Sequence, residues 1–315
     1  MNTVPLELHS YICQLACKDD RLTTQSLSLV STYFSDVARP FRYQSIAVAG
    51  PERITPLHNK LAGIPPHMRR IRHLFLSDKG DGIIDQPAKS TSRLNDAEKT
   101  TVIQFLLLAA PTLETLAFSA SCTVTSTTLI AAAFTIVYPQ LVELTIAGYY
   151  PFPHQPTSFP RLQRLHLRGN RNPHGLLHMG LDAICPNLTH LRVSGLSMAL
   201  SFVDELEEAL EHSTADAGAD GSSTSIFAVR LPPKIKHLVI QPGSEITMVR
   251  ACAAKNQKMA ERLARLQGVN ANANGVRYDL LERDPVGEDP NQAVRREWGE
   301  RLSGGHGCWA NNYSK

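Results

Sequence analysis

The chain has 315 residues, of which 43% are hydrophobic and 19% charged, and its formal net charge is +3. This composition allows a core of ordinary size in one large domain or two modest ones. The small net charge argues against a protein dedicated to nucleic acid, which would carry a concentrated basic stripe. No apolar stretch approaches the ~20 residues that a membrane-spanning helix needs, so we expect no membrane insertion.

The six cysteines are scattered and predict reduced thiols rather than a disulfide framework. They are Cys13, Cys17, Cys122, Cys185, Cys252 and Cys308. We see no secretory signal before them and expect a cytoplasmic or nuclear protein. Cys13 and Cys17 could share one helix face, but no second pair of ligands accompanies them. We therefore expect neither a metal nor a cofactor.

Two amphipathic helical patterns occupy the N-terminal residues. The first runs from Pro5 to Cys17 and repeats apolar residues at steps of three and four, namely Pro5, Leu8, Ile12 and Leu15. The second is a single predicted helix that Pro40 ends, with an apolar face of Leu27, Val30, Phe34 and Val37. A block this short is marginal alone, since domains below ~60 residues bury little surface. Its apolar faces must therefore cover each other, the next domain or a partner.

The order of these residues resembles the F-box. The matching phrases are Pro5-x-Glu7-Leu8, then Leu27-x-Leu29-Val30-Ser31-x-x-Phe34, then the fungal-type continuation Arg39-Pro40-x-x-Tyr43-x-x-Ile46. An F-box is a docking module, so the resemblance implies a ubiquitin-ligase adaptor that binds a Skp-type protein, which in turn holds the cullin scaffold. On the family pattern the adaptor-binding residues are Pro5, Leu8, Ile12, Leu27, Val30 and Phe34. The alternative is a helical cap on the domain that follows.

Beyond Val48 a phrase of the form Leu-x-x-Leu-x-apolar recurs, usually with Pro two residues ahead of it. The copies are Ile71–Leu76, Leu113–Phe118, Leu141–Ile146, Leu162–Leu167, Leu188–Val193 and Ile235–Ile240. The prolines at 111, 139, 160 and 186 are 28, 21 and 26 residues apart, in or close to the ~20–29 residues of leucine-rich repeats. The array therefore resembles leucine-rich repeats, although their asparagine ladder is missing.

Helical patterns fill the intervals between these phrases. They span Asn95 to Ala110, Thr125 to Tyr138, Leu176 to Cys185, Leu196 to His212 and Glu245 to Gln267. A unit of helix, Pro-marked turn and short strand stacks into a parallel sheet with helices on one side. The predicted fold is α/β: an N-terminal helical block followed by an irregular leucine-rich-repeat-like βα solenoid.

We divide the chain into residues 1–48 as the F-box-like block, 49–282 as the repeat domain and 283–315 as a C-terminal capping segment. Low-complexity or polar loops are expected at 83–94 and 211–225. Val276 to Leu280 is one more predicted edge strand, and Ala293 to Leu302 a short helix around Trp298. Because a solenoid needs its open ends covered, we expect the C-terminal segment to cover one end.

In each repeat the spaced leucines point into the core, while the residues before and after the second leucine point to the other face of the sheet. We expect that face to be an exposed concave surface with a basic bias, suited to an acidic or phosphorylated peptide. The predicted substrate-binding residues are His73, Arg164, His166, His190, Arg192 and His237. Alternatives are a histidine row that binds metal or senses pH, or exposed polar residues without a specific role.

Motifs of catalysis are absent from the sequence: it has no Gly-x-Ser-x-Gly, no phosphate-binding loop with Lys and no His-Glu-x-x-His. We therefore predict a protein that is not an enzyme, namely a substrate-recognition adaptor of a cullin-RING ubiquitin ligase. Its expected partners are a Skp-type adaptor, a cullin scaffold and a protein substrate, with no nucleic acid and no membrane. The alternatives are a repeat-based interaction module unrelated to ubiquitin and a hydrolase- or transferase-like α/β enzyme.

Overall fold

Eight β-strands form one parallel sheet whose spatial order follows the order of the chain. A computed structural model describes residues 4–17, 21–80, 94–122, 124–151, 158–178, 180–215, 229–244, 250–269 and 275–309. The strands are β1 (Ser45–Ala49), β2 (His73–Ser77), β3 (Thr115–Ser119), β4 (Glu143–Ala147), β5 (Arg164–Arg168), β6 (His190–Leu196), β7 (His237–Pro242) and β8 (Arg277–Leu280). The predicted α/β class with a parallel sheet is confirmed.

The α-helices precede, separate and follow the strands. They are α1 (Leu6–Ala16), α2 (Arg21–Val30), α3 (Thr32–Ala38), α4 (Pro51–Ala62), α5 (Asp96–Ala109), α6 (Ser126–Phe134), α7 (Leu181–Ile184), α8 (Leu200–Ala215), α9 (Arg250–Val269) and α10 (Pro290–Leu302). The predicted start of α5 is confirmed, because Asn95 and Glu98 form a reciprocal capping box. Within the described ranges, none of the helices combines the length and the apolar character that crossing a bilayer demands.

The main core lies between one face of the sheet and helices α4 to α9. The leucines of the recurring phrases lie in register on this first face, as in the row Leu74, Leu116, Leu144, Leu165, Leu191 and Leu238, and all are at most 3% exposed. They pack with helical residues such as Phe105, Ile130 and Phe202 in one continuous cluster. The period-2 pattern thus assigns the core face correctly.

A second, smaller core holds the N-terminal block together. Cys13 of α1 and Cys17, which follows the end of that helix, pack there with Val37, Ala38 and Phe41, and Leu27 and Phe34 lie against them. The helix predicted to run through both Leu27 and Val37 is two helices in the structure. Ser31 interrupts it with an extended backbone, and its Oγ accepts a hydrogen bond from the Phe34 amide at 3.2 Å. A serine in this position caps a new helix start.

Several predicted boundaries are displaced. Residues 45–48, assigned to the N-terminal block, belong to β1, which pairs with β2. Among the described residues of the segment from Leu176 to Cys185, only Leu181–Ile184 is helical. The predicted loop at 211–225 begins later, because α8 continues to Ala215; the rest of that loop and most of the loop at 83–94 lie outside the described residues.

Close backbone approach after the strands requires glycine. Gly169 follows β5 with a φ of +107°, and a Cβ at that position would lie 2.6 Å from the Gly148 carbonyl oxygen. A side chain there is excluded both by the backbone conformation and by the adjacent strand connection.

We expect Gly169→Ala to lower the free energy of unfolding by about 3 kcal/mol, because strain and a backbone clash combine. Gly299→Ala is the matched control: Gly299 lies within α10 with open space around its Cα, so alanine should be neutral or stabilise by up to about 1 kcal/mol. Urea unfolding followed by circular dichroism measures both. Equal stability of the two variants would contradict the close approach at Gly169.

Candidate functional site

The N-terminal block presents a concentration of exposed apolar side chains. Of the large apolar side chains that the structure describes as exposed, nine lie between residues 4 and 33 and five in the rest of the described chain. The nine are Val4, Leu6, Leu8, Tyr11, Ile12, Leu15, Leu29, Val30 and Tyr33, and we call them the N-terminal apolar surface. Monomeric proteins rarely leave so many large apolar groups in one region in water, so this surface is a candidate binding site.

Helical spacing separates the two sides of α1. Cys13 faces the small core at 2% exposure, whereas Leu8 and Ile12 are 52% and 57% exposed. Helix α3 lies beside α1, because His9 Nδ1 and the Tyr33 hydroxyl are 2.7 Å apart and share a hydrogen bond. The residues of α1 that the sequence analysis assigns to adaptor binding are therefore held on a packed support while their side chains face outward.

The six predicted adaptor-binding residues divide into two groups. Pro5, Leu8, Ile12 and Val30 are exposed, and Val30 is 65% exposed. Leu27 and Phe34 are half-buried against the small core. The first group is available to a partner, and the second supports the block from within.

The predicted substrate-binding residues share the opposite, second face of the sheet. One row across the strands, in register, is His73, Thr115, Glu143, Arg164, His190, His237 and Arg277. The row two residues further along is Phe75, Ala117, Thr145, His166, Arg192, Val239 and Asp279. The sequence therefore predicted the common face and the alignment of these side chains correctly.

The expected exposure of this face is wrong. His73, His166 and Arg192 are buried, at 5%, 0% and 6% exposure, and Arg164, His190 and His237 are half-buried. The cover is the C-terminal segment, by which we mean residues 284–309. Its helix α10 packs across β2, β3 and β4. The sequence pattern predicted that this segment covers an open end of the sheet, but it lies on the second face instead.

Helix α10 packs on this face through apolar side chains. Val294 is buried together with Phe75 and Ala117, and the Trp298 ring lies 6.1 Å from the Phe75 ring. The final turn, Gly307–Trp309, continues toward the later strands, where the Trp309 ring lies 5.8 Å from the His190 ring. A sheet face with apolar residues at its β2–β3 end provides the surface that the amphipathic α10 needs.

Glu143 of β4 is the polar anchor of the C-terminal segment. Its carboxylate accepts hydrogen bonds from Arg301 Nε and Trp309 Nε1, each at 3.0 Å. Arg164 Nη1 of the neighbouring strand donates a third, also at 3.0 Å. With 9% exposure, this carboxylate is buried, and charge-assisted bonds to a buried group are among the stronger ones.

The basic groups of the second face are engaged within the chain. Arg192 donates to the Cys308 carbonyl oxygen and to Gln241 Oε1, Arg168 pairs with Asp284 at 3.3 Å, and His237 lies 2.6 Å from Asp279. The basic bias expected to receive an acidic peptide is thus satisfied internally, partly by the C-terminal segment. Assignment of these residues to substrate binding stays a prediction.

Two histidines under the segment favour the neutral form. Burial, followed by the charge of Arg192, lowers the pKa of His166 well below its usual range. Burial also lowers the pKa of His190, and the neighbouring His237 adds to this. Groups with a depressed folded pKa stabilise the fold fully above their unfolded pKa of ~6.5, and this stability is lost as pH falls through the folded pKa.

We therefore expect the folded chain to lose stability on acidification from pH ~7 toward ~5, with His190→Gln showing a shallower loss. The chain has two tryptophans, and Trp298 and Trp309 both lie in the C-terminal segment, so tryptophan fluorescence during urea unfolding reports on it directly. An equally steep pH dependence in the wild type and in His190→Gln would contradict a role for His190 in this coupling.

A groove of about 900 Å³ lies at the carboxyl ends of the strands. Its walls include Ser119, Gly148, Arg168 and Asn170, and residues 284, 285 and 287–290 of the C-terminal segment border it. The phrases of the sequence did not predict this groove. The available signal was glycine after successive phrases, at 148, 169, 195 and 243, which leaves room where side chains would otherwise project.

Among the described residues, one group of side chains has the chemistry and proximity to hold a metal ion, namely His166, Glu297 and Cys308. Sequence spacing could not reveal it, because the three residues come from β5, α10 and the final turn. In comparisons with known proteins, no family model, no curated protein and no solved structure matches this chain.

Proposed function

We propose that the chain is a non-catalytic adaptor whose N-terminal block docks on a Skp-type protein of a cullin-RING ubiquitin ligase. The observation that carries the proposal is the exposure of Leu8, Ile12 and Val30 at the positions where the sequence resembles the docking residues of an F-box. A mere cap on the repeats would bury these side chains against the sheet. Instead, they surround a block with its own small core.

The remainder of the chain is proposed to hold a protein substrate near the ubiquitin-conjugating enzyme. Such an adaptor acts by raising effective concentration, so it needs no catalytic residue of its own. The predicted substrate-binding residues of the second face lie beneath the C-terminal segment, so a substrate reaches the buried ones only when that segment is displaced. With the segment in place, the groove at the carboxyl ends of the strands is a recess that a substrate can reach. The proposed site of action is the cytoplasm or nucleus.

The proposal is tested by co-expressing the full chain with a Skp-type protein and analysing the mixture by size-exclusion chromatography with light scattering. We expect a complex of one copy of each, and a larger complex when the N-terminal region of a cullin is added. Separate elution of the two proteins at micromolar concentration would exclude the adaptor function and leave an interaction module unrelated to ubiquitin.

A further inference from the structure

Three potential metal ligands meet where the C-terminal segment crosses the sheet. His166 belongs to β5, Glu297 to α10 and Cys308 to the turn Gly307–Trp309. One ligand atom from each lies within 4.8 Å of the other two. Two of the three ligands therefore come from the segment and the third from the surface on which it lies.

Polar atoms of this cluster are buried without partners. His166 is fully buried, yet its Nδ1 has no hydrogen-bond partner, and Glu297 Oε2 is likewise buried and unpartnered. A buried polar atom without a partner costs about 1–3 kcal/mol, more when it is charged. Both atoms belong to residues that meet at the Cys308 thiol, and a bound cation would accept a lone pair from each of them.

The orientation of His166 suits a metal ligand. Its Nε2 lies 2.8 Å from Ser194 Oγ, and when Nε2 donates to that hydroxyl the lone pair is on Nδ1. Ligating histidines are commonly fixed in this way through their other ring nitrogen.

The donor set of one imidazole, one carboxylate and one thiolate suits Zn²⁺, which binds nitrogen, oxygen and sulfur with tetrahedral geometry. Zinc bonds of ~2.0–2.3 Å place neighbouring donors roughly 3.3–3.7 Å apart, so separations of up to 4.8 Å need to close by about 1.5 Å at most. Rotation of the Glu297 and Cys308 side chains would supply part of this movement. A small shift of the C-terminal segment relative to the sheet would supply the rest, because both residues belong to that segment.

We propose that His166, Glu297 and Cys308 form a Zn²⁺ site that fastens the C-terminal segment to the second face of the sheet. The ion supplies the partner that His166 Nδ1 and Glu297 Oε2 lack, and it binds Cys308 as a thiolate. Because its ligands come from both sides of the contact, binding of the ion and closure of the segment stabilise each other. Water or the second oxygen of Glu297 completes the coordination.

A catalytic role for the same residues fits the structure less well. Cysteine, histidine and a carboxylate also serve nucleophilic catalysis, but that requires access for a substrate and a thiol of low pKa. His166 is 0% and Cys308 7% exposed, and burial raises the pKa of Cys308 well above its usual value. A metal ion is small enough to occupy this position and displaces the thiol proton itself.

The test is titration of the purified, metal-free full chain with Zn²⁺ against a competing chelator, and with Co²⁺ as a spectroscopic probe. We expect one equivalent of Zn²⁺, a thiolate-to-cobalt charge-transfer band and a raised thermal midpoint. Cys308→Ser should abolish the charge-transfer band, and Glu297→Gln should keep it while weakening Zn²⁺ binding. Each variant removes one of three protein ligands, so we expect affinity to fall roughly 100-fold.

Matched controls separate this site from other thiols and carboxylates. Cys252→Ser removes a half-buried cysteine of α9, and Glu300→Gln an exposed carboxylate one turn along α10; both should bind Zn²⁺ like the wild type. Circular dichroism of the metal-free proteins verifies that each variant is folded. Failure of the folded wild type to bind one equivalent would overturn the proposal, as would unchanged affinity in Cys308→Ser and Glu297→Gln.

Discussion

Replacing Leu8 and Ile12 together with aspartate is expected to abolish binding of the Skp-type protein, with a loss of roughly 1000-fold or more. Both side chains are more than half exposed and lie on the outer side of α1. In a complex they would enter a desolvated interface, where truncating a central apolar anchor commonly costs 2 kcal/mol or more, and a buried unpaired carboxylate costs further. Isothermal titration calorimetry with the full chain measures the loss.

The control for this experiment is Leu107→Asp. Leu107 is 53% exposed, close to the 52% of Leu8, but it lies on α5, far along the chain from the N-terminal block. We expect this variant to bind the Skp-type protein normally. Phe34→Asp is a poor substitute, because Phe34 packs against the small core and its replacement would disturb the block itself. Unchanged affinity in the double variant would contradict docking through α1.

Periodicity in the sequence predicted the sheet because successive side chains of a strand point to opposite faces. The leucines of the recurring phrases occupy one face, and the register pairs equivalent positions, as with Leu144 and Leu165. Strand β1 was missed, since Ser45–Ala49 carries isoleucine, valine and alanine instead of the leucine phrase. Helix α4 was missed as well; it contains Pro56, and an internal proline ordinarily argues against a helix.

The cover on the second face could not be predicted in the same way. A period of two assigns a residue to a face of the sheet, but it contains no information about what packs on that face. His166 and Arg192 were expected in solvent because polar residues usually are. They are buried because α10 and the final turn, more than a hundred residues later, supply partners such as the Cys308 carbonyl.

The candidate sites show the same division between local and long-range information. The exposure of Leu8 and Ile12 follows from a local pattern, since a short block cannot bury two apolar faces on its own. The cluster of His166, Glu297 and Cys308 depends on contacts between distant segments, and spacing rules detect only ligands that share a short motif. Its recognition required coordinates for β5, α10 and the final turn together.

Removing the carboxylate of Glu143 is expected to release the C-terminal segment before the sheet unfolds. Glu143→Ala leaves Arg301, Trp309 and Arg164 without the acceptor that they share, and we expect a loss of about 3 kcal/mol in stability. In urea, tryptophan fluorescence from Trp298 and Trp309 should shift to the red at a lower concentration than the loss of circular dichroism. In the wild type the two signals should change together.

Glu114→Ala is the matched control for this prediction. Glu114 immediately precedes β3 and pairs with Arg72 at 2.5 Å, but both side chains are about one-third exposed, so the pair contributes at most ~1 kcal/mol. Its loss should leave fluorescence and circular dichroism coincident. Coincident transitions in Glu143→Ala, or equal losses in the two variants, would mean that Glu143 does not anchor the segment. Separate transitions would instead make the segment a unit that opens by itself, and its opening would expose the second face to a partner while the sheet stays folded.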